Sequence, residues 1–144
     1  MSFEDCVDFA NRHPVCAVAT VEGDQPRVRY LLMWRADRTG FFFHTGKMKR
    51  IFQQLQKNPK IELCFYDTAP PEKGGGRMLR ATGRVEWRKE PALINALLEQ
   101  RPWIRSLGTD TDQFLAVFQV KDGEAWFWTM EDNLKEDQIP RYRF

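Results

Sequence analysis

Apolar positions first recur at helical spacing. Phe3, Cys6, Val7 and Ala10 share one face between Ser2, a capping residue, and Pro14, a stop, which predicts a helix over Phe3–Arg12. The pattern then changes. Val15–Val21 is rich in β-branched residues and runs into the turn cluster Glu22-Gly23-Asp24-Gln25-Pro26, after which Arg27–Trp34 is extended again, so a hairpin is predicted. Ala36–Gly40 is a second turn and leads to Phe41-Phe42-Phe43-His44, a third strand that breaks at Gly46. The helical period returns with Met48, Ile51, Phe52 and Leu55 on one stripe, ended by Asn58-Pro59.

Ile61–Tyr66 is a fourth strand. Asp67–Arg77 holds Pro70, Pro71 and the run Gly74-Gly75-Gly76, and reads as a surface loop within one domain. Met78–Trp87 resumes strand character, and Glu90–Gln100, with Ala92, Leu93, Ala96 and Leu97, predicts a third helix closed by Pro102. Phe114–Val120 and Ala125–Met130 flank Asp122-Gly123, a two-residue hairpin signal. The sum is about seven short strands, mostly joined by tight turns and therefore antiparallel, with helices inserted between them. A sheet of this kind tends to close on itself, so the fold predicted for residues 1–144 is a single domain of the mainly β class, a small β-barrel with helices packed on it.

Composition narrows the function. A chain of 144 residues can bury a core without disulfides or metal. Its 11 Phe, 5 Trp and 3 Tyr are many for that length, and flat side chains in such number favour strands, a flat ligand or a large subunit interface. A net charge of +2 argues against coating of duplex nucleic acid. Cys6, Cys16 and Cys64 are widely spaced without a C-x-x-C, and His13 and His44 stand apart, so neither a disulfide framework nor a metal site is expected. No basic start with an apolar stretch is seen, and no apolar run is long enough to cross a bilayer, so a reducing cytoplasm is the expected compartment and no membrane partner is expected.

Chemistry concentrates in two places. His44-Thr45-Gly46-Lys47-Met48-Lys49-Arg50 puts Lys47, Lys49 and Arg50 at the predicted start of the middle helix, where cations are locally unfavourable. An anion would reverse that sign, because free N–H groups, a glycine and basic side chains together make a phosphate cradle; a solvated basic face is the other reading. On a helical wheel Lys47, Arg50 and Gln54 share a flank, and Lys49 lies on the other. In the second place, Pro26–Leu32, alternation sends Arg27, Arg29 and Leu31 to one face and Val28, Tyr30 and Leu32 to the other. Arg29 is either an outward charge or an inward one that requires an anion or an electron-rich ring. The triple glycine lacks the Lys-Ser or Lys-Thr of a nucleotide P-loop, and no cysteine sits in a nucleophile motif. Trp126-Phe127-Trp128 reads as core on one face and interface on the other.

The order AVATVEGDQPRVRYLL, GFFFHTGKMKRIFQQLQKNPKIELCFY and LRATGRVEW resembles the pyridoxamine 5′-phosphate oxidase-like family of flavin mononucleotide (FMN) binding split barrels, and within it the short general-stress and nitroimidazole-reductase-like members. The likeness runs from Val15 to Trp87, and the elements up to Met130 follow the same plan. It implies a six-stranded antiparallel split β-barrel with flanking helices, a homodimer, and FMN in the grooves between subunits. By the same resemblance Arg29 meets the phosphate-bearing tail, and Tyr30, Leu31 and Leu32 border the ring. His44 and Thr45 match the aromatic-Thr pair ending the third strand. Lys49 and Arg50 take the phosphate-facing positions, Lys47 or Lys49 substitutes for a cation the oxidase proper has at the position of Ile51, and Gln54 matches a glutamine of the helix. Met33 and Trp34 replace its lysine, and the tail Arg141-Tyr142-Arg143-Phe144 does not match its grip on pyridoxal phosphate, so vitamin B6 oxidation is not expected.

The resemblance therefore implies an FMN-dependent oxidoreductase that passes electrons between NAD(P)H and a small acceptor, with no side chain marked as acid or base. Two rivals differ in class. One is a non-catalytic binder of flavin, deazaflavin or haem. The other is a barrel that stacks single-stranded nucleic acid on Trp34, Phe42 or Trp126, which the order of motifs disfavours.

Overall fold

A computed structural model describes all 144 residues. Helix α1 (Phe3–Arg12) opens the chain, and the Ser2 amide donates to the Asp5 carboxylate at 2.6 Å, satisfying one orphan donor of its first turn. The predicted hairpin follows as β1 (Val15–Glu22) and β2 (Gln25–Leu32), with Gly23 at φ +64° in the turn. Then come β3 (Arg35–Asp37), β4 (Gly40–Gly46), α2 (Arg50–Lys57), β5 (Lys60–Tyr66) and β6 (Met78–Arg88). Helix α3 (Pro91–Gln100) passes into a 3-10 segment, Pro102–Leu107, and the short α4 (Thr111–Phe114) leads into β7 (Leu115–Trp128). A two-residue strand, β8 (Tyr142–Arg143), ends the chain on β7.

All pairings are antiparallel, and the sheet order is β2-β1-β5-β6-β7-β4-β3. Neither edge strand, β2 or β3, pairs with the other, so the sheet curls without closing. Six long strands, β1, β2, β4, β5, β6 and β7, form the split barrel, and β3 and β8 are short additions. The inward residues alternate as a half-buried sheet requires: Cys16 and Val18, Leu63 and Phe65, Leu79 and Ala81, Phe41 and Phe43, Phe118 and Val120 are all buried. Phe43 stacks on Phe118 with ring centroids 5.3 Å apart. Each such ring contributes roughly 1.5–3 kcal/mol by leaving water. Phe9 of α1 seals the barrel beside Phe127, and Phe3 stacks on Phe144 at 4.7 Å, which ties the two ends of the chain together.

Three expectations need correction. Asp122-Gly123 makes no hairpin: β7 runs through it as one strand and pairs with β6 from end to end, with a register shift between Thr82 and Arg84. Asp122 takes the left-handed φ of +55°, and a Cβ on Gly123 would stand 1.7 Å from the Thr82 carbonyl oxygen, so the turn-forming residues serve a bulge where two backbones touch. The middle helix begins at Arg50 with Lys49 as its cap, which removes Lys47 from the helix and leaves Arg50 as the cation of its first turn. The Lys47 ammonium instead donates to the Asp112 carbonyl at 2.6 Å. Trp126 and Phe127 are both buried; the outer face of Trp126 is covered by the chain's own tail, with the Arg141 guanidinium 3.7 Å from the ring centroid.

Candidate functional site

The inward side of β2 carries the first cluster. Arg29 donates to Thr20 Oγ1 at 2.8 Å, to the Val18 carbonyl at 3.3 Å and to Gln54 Oε1. Thr20 also donates to Gln54 Oε1 at 2.6 Å, and Gln54 Nε2 donates to Glu22 Oε2 at 3.2 Å. The inward reading of Arg29 is therefore the right one, and its electron-rich partners are a hydroxyl, a carbonyl, an amide and, one step away, a carboxylate. Glu22 also accepts from Arg27 at 3.0 Å. The Gln54 amide and then Arg27 hold the Glu22 carboxyl below the usual carboxylate range, and Arg50 adds to the effect. Burial lowers the Arg29 pKa from its usual value, assisted by the nearby Arg27 charge.

A cavity of about 820 Å³ opens beside this cluster, within the range of small-ligand sites. Its floor is the end of β2, with Tyr30, Leu31 and Leu32, and the end of β4, with His44, Thr45 and Gly46. Met48 and Lys49 form the rim at the start of α2. The opposite wall is the segment between α3 and β7, contributing Arg101, Trp103, Ile104 and Leu107. The Thr45 hydroxyl, on β4, is buried and has no hydrogen-bond partner.

His44 is set by its neighbours. An Arg101 guanidinium nitrogen lies 2.8 Å from His44 Nε2, and the same guanidinium donates to the Leu32 carbonyl at 3.2 Å and the Met33 carbonyl at 2.7 Å. Burial, the Arg101 charge and then Lys49 push the His44 pKa down to about 4. The imidazole is neutral at pH 7, and its Nε2 is an acceptor. The cysteines offer no thiolate: burial pushes Cys6 up to about 12, and Cys16 and Cys64 are also raised chiefly by burial. No three His, Cys, Asp or Glu side chains converge on a point that could hold a metal ion.

Of the residues singled out in the sequence, Tyr30, Leu31, Leu32, His44, Thr45 and Lys49 meet in the cavity. Arg29 and Gln54 meet each other in the adjoining cluster. Arg50 belongs to the rim of that cluster, and Lys47 faces α4, away from both. Arg101 and Trp103 had no sequence signal, because their partners lie 57 to 69 positions away and a helix ending at Pro102 gives no hint of where its next residues return.

A pyridoxamine 5′-phosphate oxidase family model matches residues 3–127. A pyridoxine/pyridoxamine 5′-phosphate oxidase of Anaeromyxobacter dehalogenans (strain 2CP-C) is 30% identical over 139 residues, which are 94% of this chain and 67% of that protein. Among solved structures, a NimC/NimA family protein of Clostridium acetobutylicum superposes with a TM-score of 0.75 at 23% identity, covering 96% of this chain and 91% of the other. HutZ of Vibrio cholerae, described as a haem storage protein, gives a TM-score of 0.64 at 16% identity over 90% of this chain and 95% of its own. At these identities the two structures show a shared fold.

Proposed function

The chain belongs to the pyridoxamine 5′-phosphate oxidase family, and from that premise we propose that it is an FMN-binding oxidoreductase passing two electrons between NAD(P)H and a small conjugated acceptor. The observation that carries this reading is a cavity of ligand size that brings Tyr30, Leu31 and Leu32 of β2 together with His44 and Thr45 of β4 and holds Lys49 on its rim at the mouth of a helix. A cation beside the free N–H groups of a helix start suits a guest with an anionic tail, and a flavin phosphate is such a tail.

In this reading Tyr30, Leu31, Leu32, His44 and Thr45 would hold the ring. Lys49, Arg50, Arg29 and Gln54 would hold the phosphate-bearing tail. Bound there, the flavin supplies the two-electron redox chemistry. The protein's part is to supply charge and shape: Lys49 and Arg101 raise the potential around the ring and favour its electron-rich reduced form. Neutral His44 offers hydrogen bonding without a charge of its own. Trp103, about half exposed, closes one side of the cavity and limits the entry of water.

A homodimer belongs to the same proposal. Along the outer face of the β1–β2 hairpin, Val15 stands opposite Leu32, Ala17 opposite Tyr30 and Ala19 opposite Val28. Val28, Tyr30 and Leu32 are 73%, 76% and 52% exposed, a contiguous apolar strip next to the cavity floor. Strips of this kind mark interaction surfaces, and a second copy laid on this one would shelter the cavity. No helix of the chain is long and apolar enough to cross a membrane.

The lysine and the C-terminal grip by which the oxidase proper holds pyridoxal phosphate have no counterpart here, so the acceptor is read as something other than a B6 vitamer. Haem is the competing guest, and the histidines suit it poorly: His44 Nε2 already receives Arg101, and His13 sits 3.8 Å from Asp67. The deciding measurement is the visible spectrum of the purified protein before and after FMN is added. Flavin bands with one FMN retained per chain, and bleaching by NADH or NADPH, are expected. A colourless protein that FMN leaves unchanged overturns the reading, and a haem spectrum replaces it.

A further inference from the structure

We infer that Arg101 is the positioning residue of this cavity: its guanidinium fixes His44 with the proton on Nδ1 and ties the Trp103 wall to the end of β2, so that the site presents a hydrogen-bond donor beside an aromatic face. This deepens the oxidoreductase reading and, in its substrate clause, rests on it.

The geometry is specific. Arg101 is the first residue after α3, and its backbone still accepts from Ile104 at 3.1 Å, which starts the 3-10 segment carrying Trp103, Ile104 and Leu107. From that junction one side chain reaches three groups on two other elements: the Leu32 and Met33 carbonyls at the end of β2 and Nε2 of His44 on β4. A planar guanidinium can hold several acceptors in one fixed fan, which an ammonium cannot. β2 is an edge strand, held by β1 on one side, and Arg101 adds a further attachment at its end.

The chemical consequence follows at His44. A guanidinium has no acceptor and does not lose its proton, so the contact at 2.8 Å requires the Nε2 lone pair. The ring proton must then sit on Nδ1, where no protein group accepts it. Charges facing the ring come from Arg101 at the end of α3 and Lys49 at the start of α2, and Asp110 is the acid of the same cavity. Burial, then Arg101 and Lys49, keep the ring neutral, so it donates a hydrogen bond and does not deliver a proton as an acid. Trp103 lies 5.8 Å from His44, ring centroid to centroid. A guest that suits both is a planar ring bearing an acceptor oxygen, stacked on the indole and bonded to Nδ1–H. An acceptor that must be protonated by the enzyme is excluded from this role.

Histidine ring 15N NMR on the flavin-free protein tests the positioning claim without reference to the cofactor. Wild type is expected to show His44 with Nδ1 protonated and a titration midpoint near 4. Arg101→Gln should raise that midpoint by at least one unit and mix the two tautomers, and Arg101→Lys should fall between. If Arg101→Gln does not fold, the Arg101→Lys spectrum decides alone. Unchanged His44 tautomer and midpoint in a folded variant, or Nε2 protonated in wild type, overturns the proposal. The substrate clause is tested on the FMN-loaded protein with menadione as acceptor: Arg101→Gln should raise the menadione KM at least fivefold. An unchanged KM overturns that clause. Failure of wild type to bind FMN would defeat the oxidoreductase reading and the substrate clause, and would leave the NMR result to judge Arg101.

Discussion

Arg29, paired with Val18 in the β1–β2 hairpin, reaches diagonally to Thr20, guanidinium nitrogen to hydroxyl oxygen at 2.8 Å, and both bond to the same oxygen of Gln54 on α2. One side-chain amide thus joins two strands to a helix. Replacing Arg29 with Ala would leave Thr20 and Gln54 to repair a partly buried network, and a loss of about 1–3 kcal/mol is expected in urea unfolding. A double-mutant cycle with Thr20→Val should show coupling of roughly 0.5–3 kcal/mol. Strict additivity would mean that the two residues act separately.

Glu22 holds the place where the proposed phosphate tail would arrive. Its carboxylate accepts from Gln54 and Arg27 and feels Arg50, so it serves as an internal anion for that cluster. Glu22→Gln removes a like charge from the path of a phosphate and should tighten FMN at least threefold, with riboflavin affinity unchanged. Lys49→Glu with Arg50→Glu should weaken FMN tenfold or more, again sparing riboflavin, while the fold persists because acids suit a helix start. Flavin fluorescence titrations read both ratios. Equal effects on FMN and riboflavin would place the phosphate elsewhere.

What could be read from the sequence, and what could not, divides by distance along the chain. Helix α1, the first hairpin and β5 were legible because Phe3, Cys6, Val7 and Ala10, or Val15 to Val21, carry their own period. The inward turn of Arg29 was not, since alternation gives two faces without saying which is inside; Thr20 and Gln54, 9 and 25 residues away, decide it. Asp122-Gly123 misled for a physical reason. A left-handed residue followed by glycine suits a tight turn and a bulge equally, and the close approach of Thr82 selects the bulge. Family resemblance supplied the β2, β4 and α2 positions of the site, and nothing local marked Arg101.

Stability should fall with acid through His44. Its pKa is about 4 in the folded chain against an ordinary value of 6.5, the depression coming from burial first and then from Arg101 and Lys49. Between those values the unfolded chain takes up the proton and the folded one does not. The contribution is therefore complete above about pH 6.5 and is lost progressively down to about pH 4, with a slope below about 1.4 kcal/mol per pH unit. Glu22 acts in a lower window: its folded pKa is depressed, so its contribution is lost only as the pH falls through that value. Denaturant titrations from pH 7 to 4 should show the His44 slope in wild type and its absence in His44→Gln.

Gly123 is required by contact between backbones. A methyl group there would meet the Thr82 carbonyl oxygen at 1.7 Å, where no side chain can move aside. Gly123→Ala should cost on the order of 3 kcal/mol or more, because β6 and β7 must separate at the bulge. The adjacent Asp122, held at φ +55°, gives the contrasting control: Asp122→Gly relieves a left-handed side chain and should be neutral or mildly stabilising. Thermal melts of the two variants separate a steric requirement from a general intolerance of this stretch.

The apolar strip on β2 joins assembly to the cavity. Tyr30 and Leu32 stand on it and also line the cavity, so the residues proposed to meet the second copy are the ones beside the ring. Tyr30→Glu would place a charge on a surface that burial must desolvate, whereas Val28→Lys would do so at the next outward position, outside the cavity lining. Both should shift sedimentation from dimer to monomer. The informative variant is Val28→Lys: if the cavity is completed by a partner, flavin affinity falls with the loss of the dimer although no cavity residue has changed. A monomeric Val28→Lys that binds FMN as wild type does would show that one chain suffices for the site. A wild-type protein that sediments as a monomer at all concentrations would remove the second copy from the proposal.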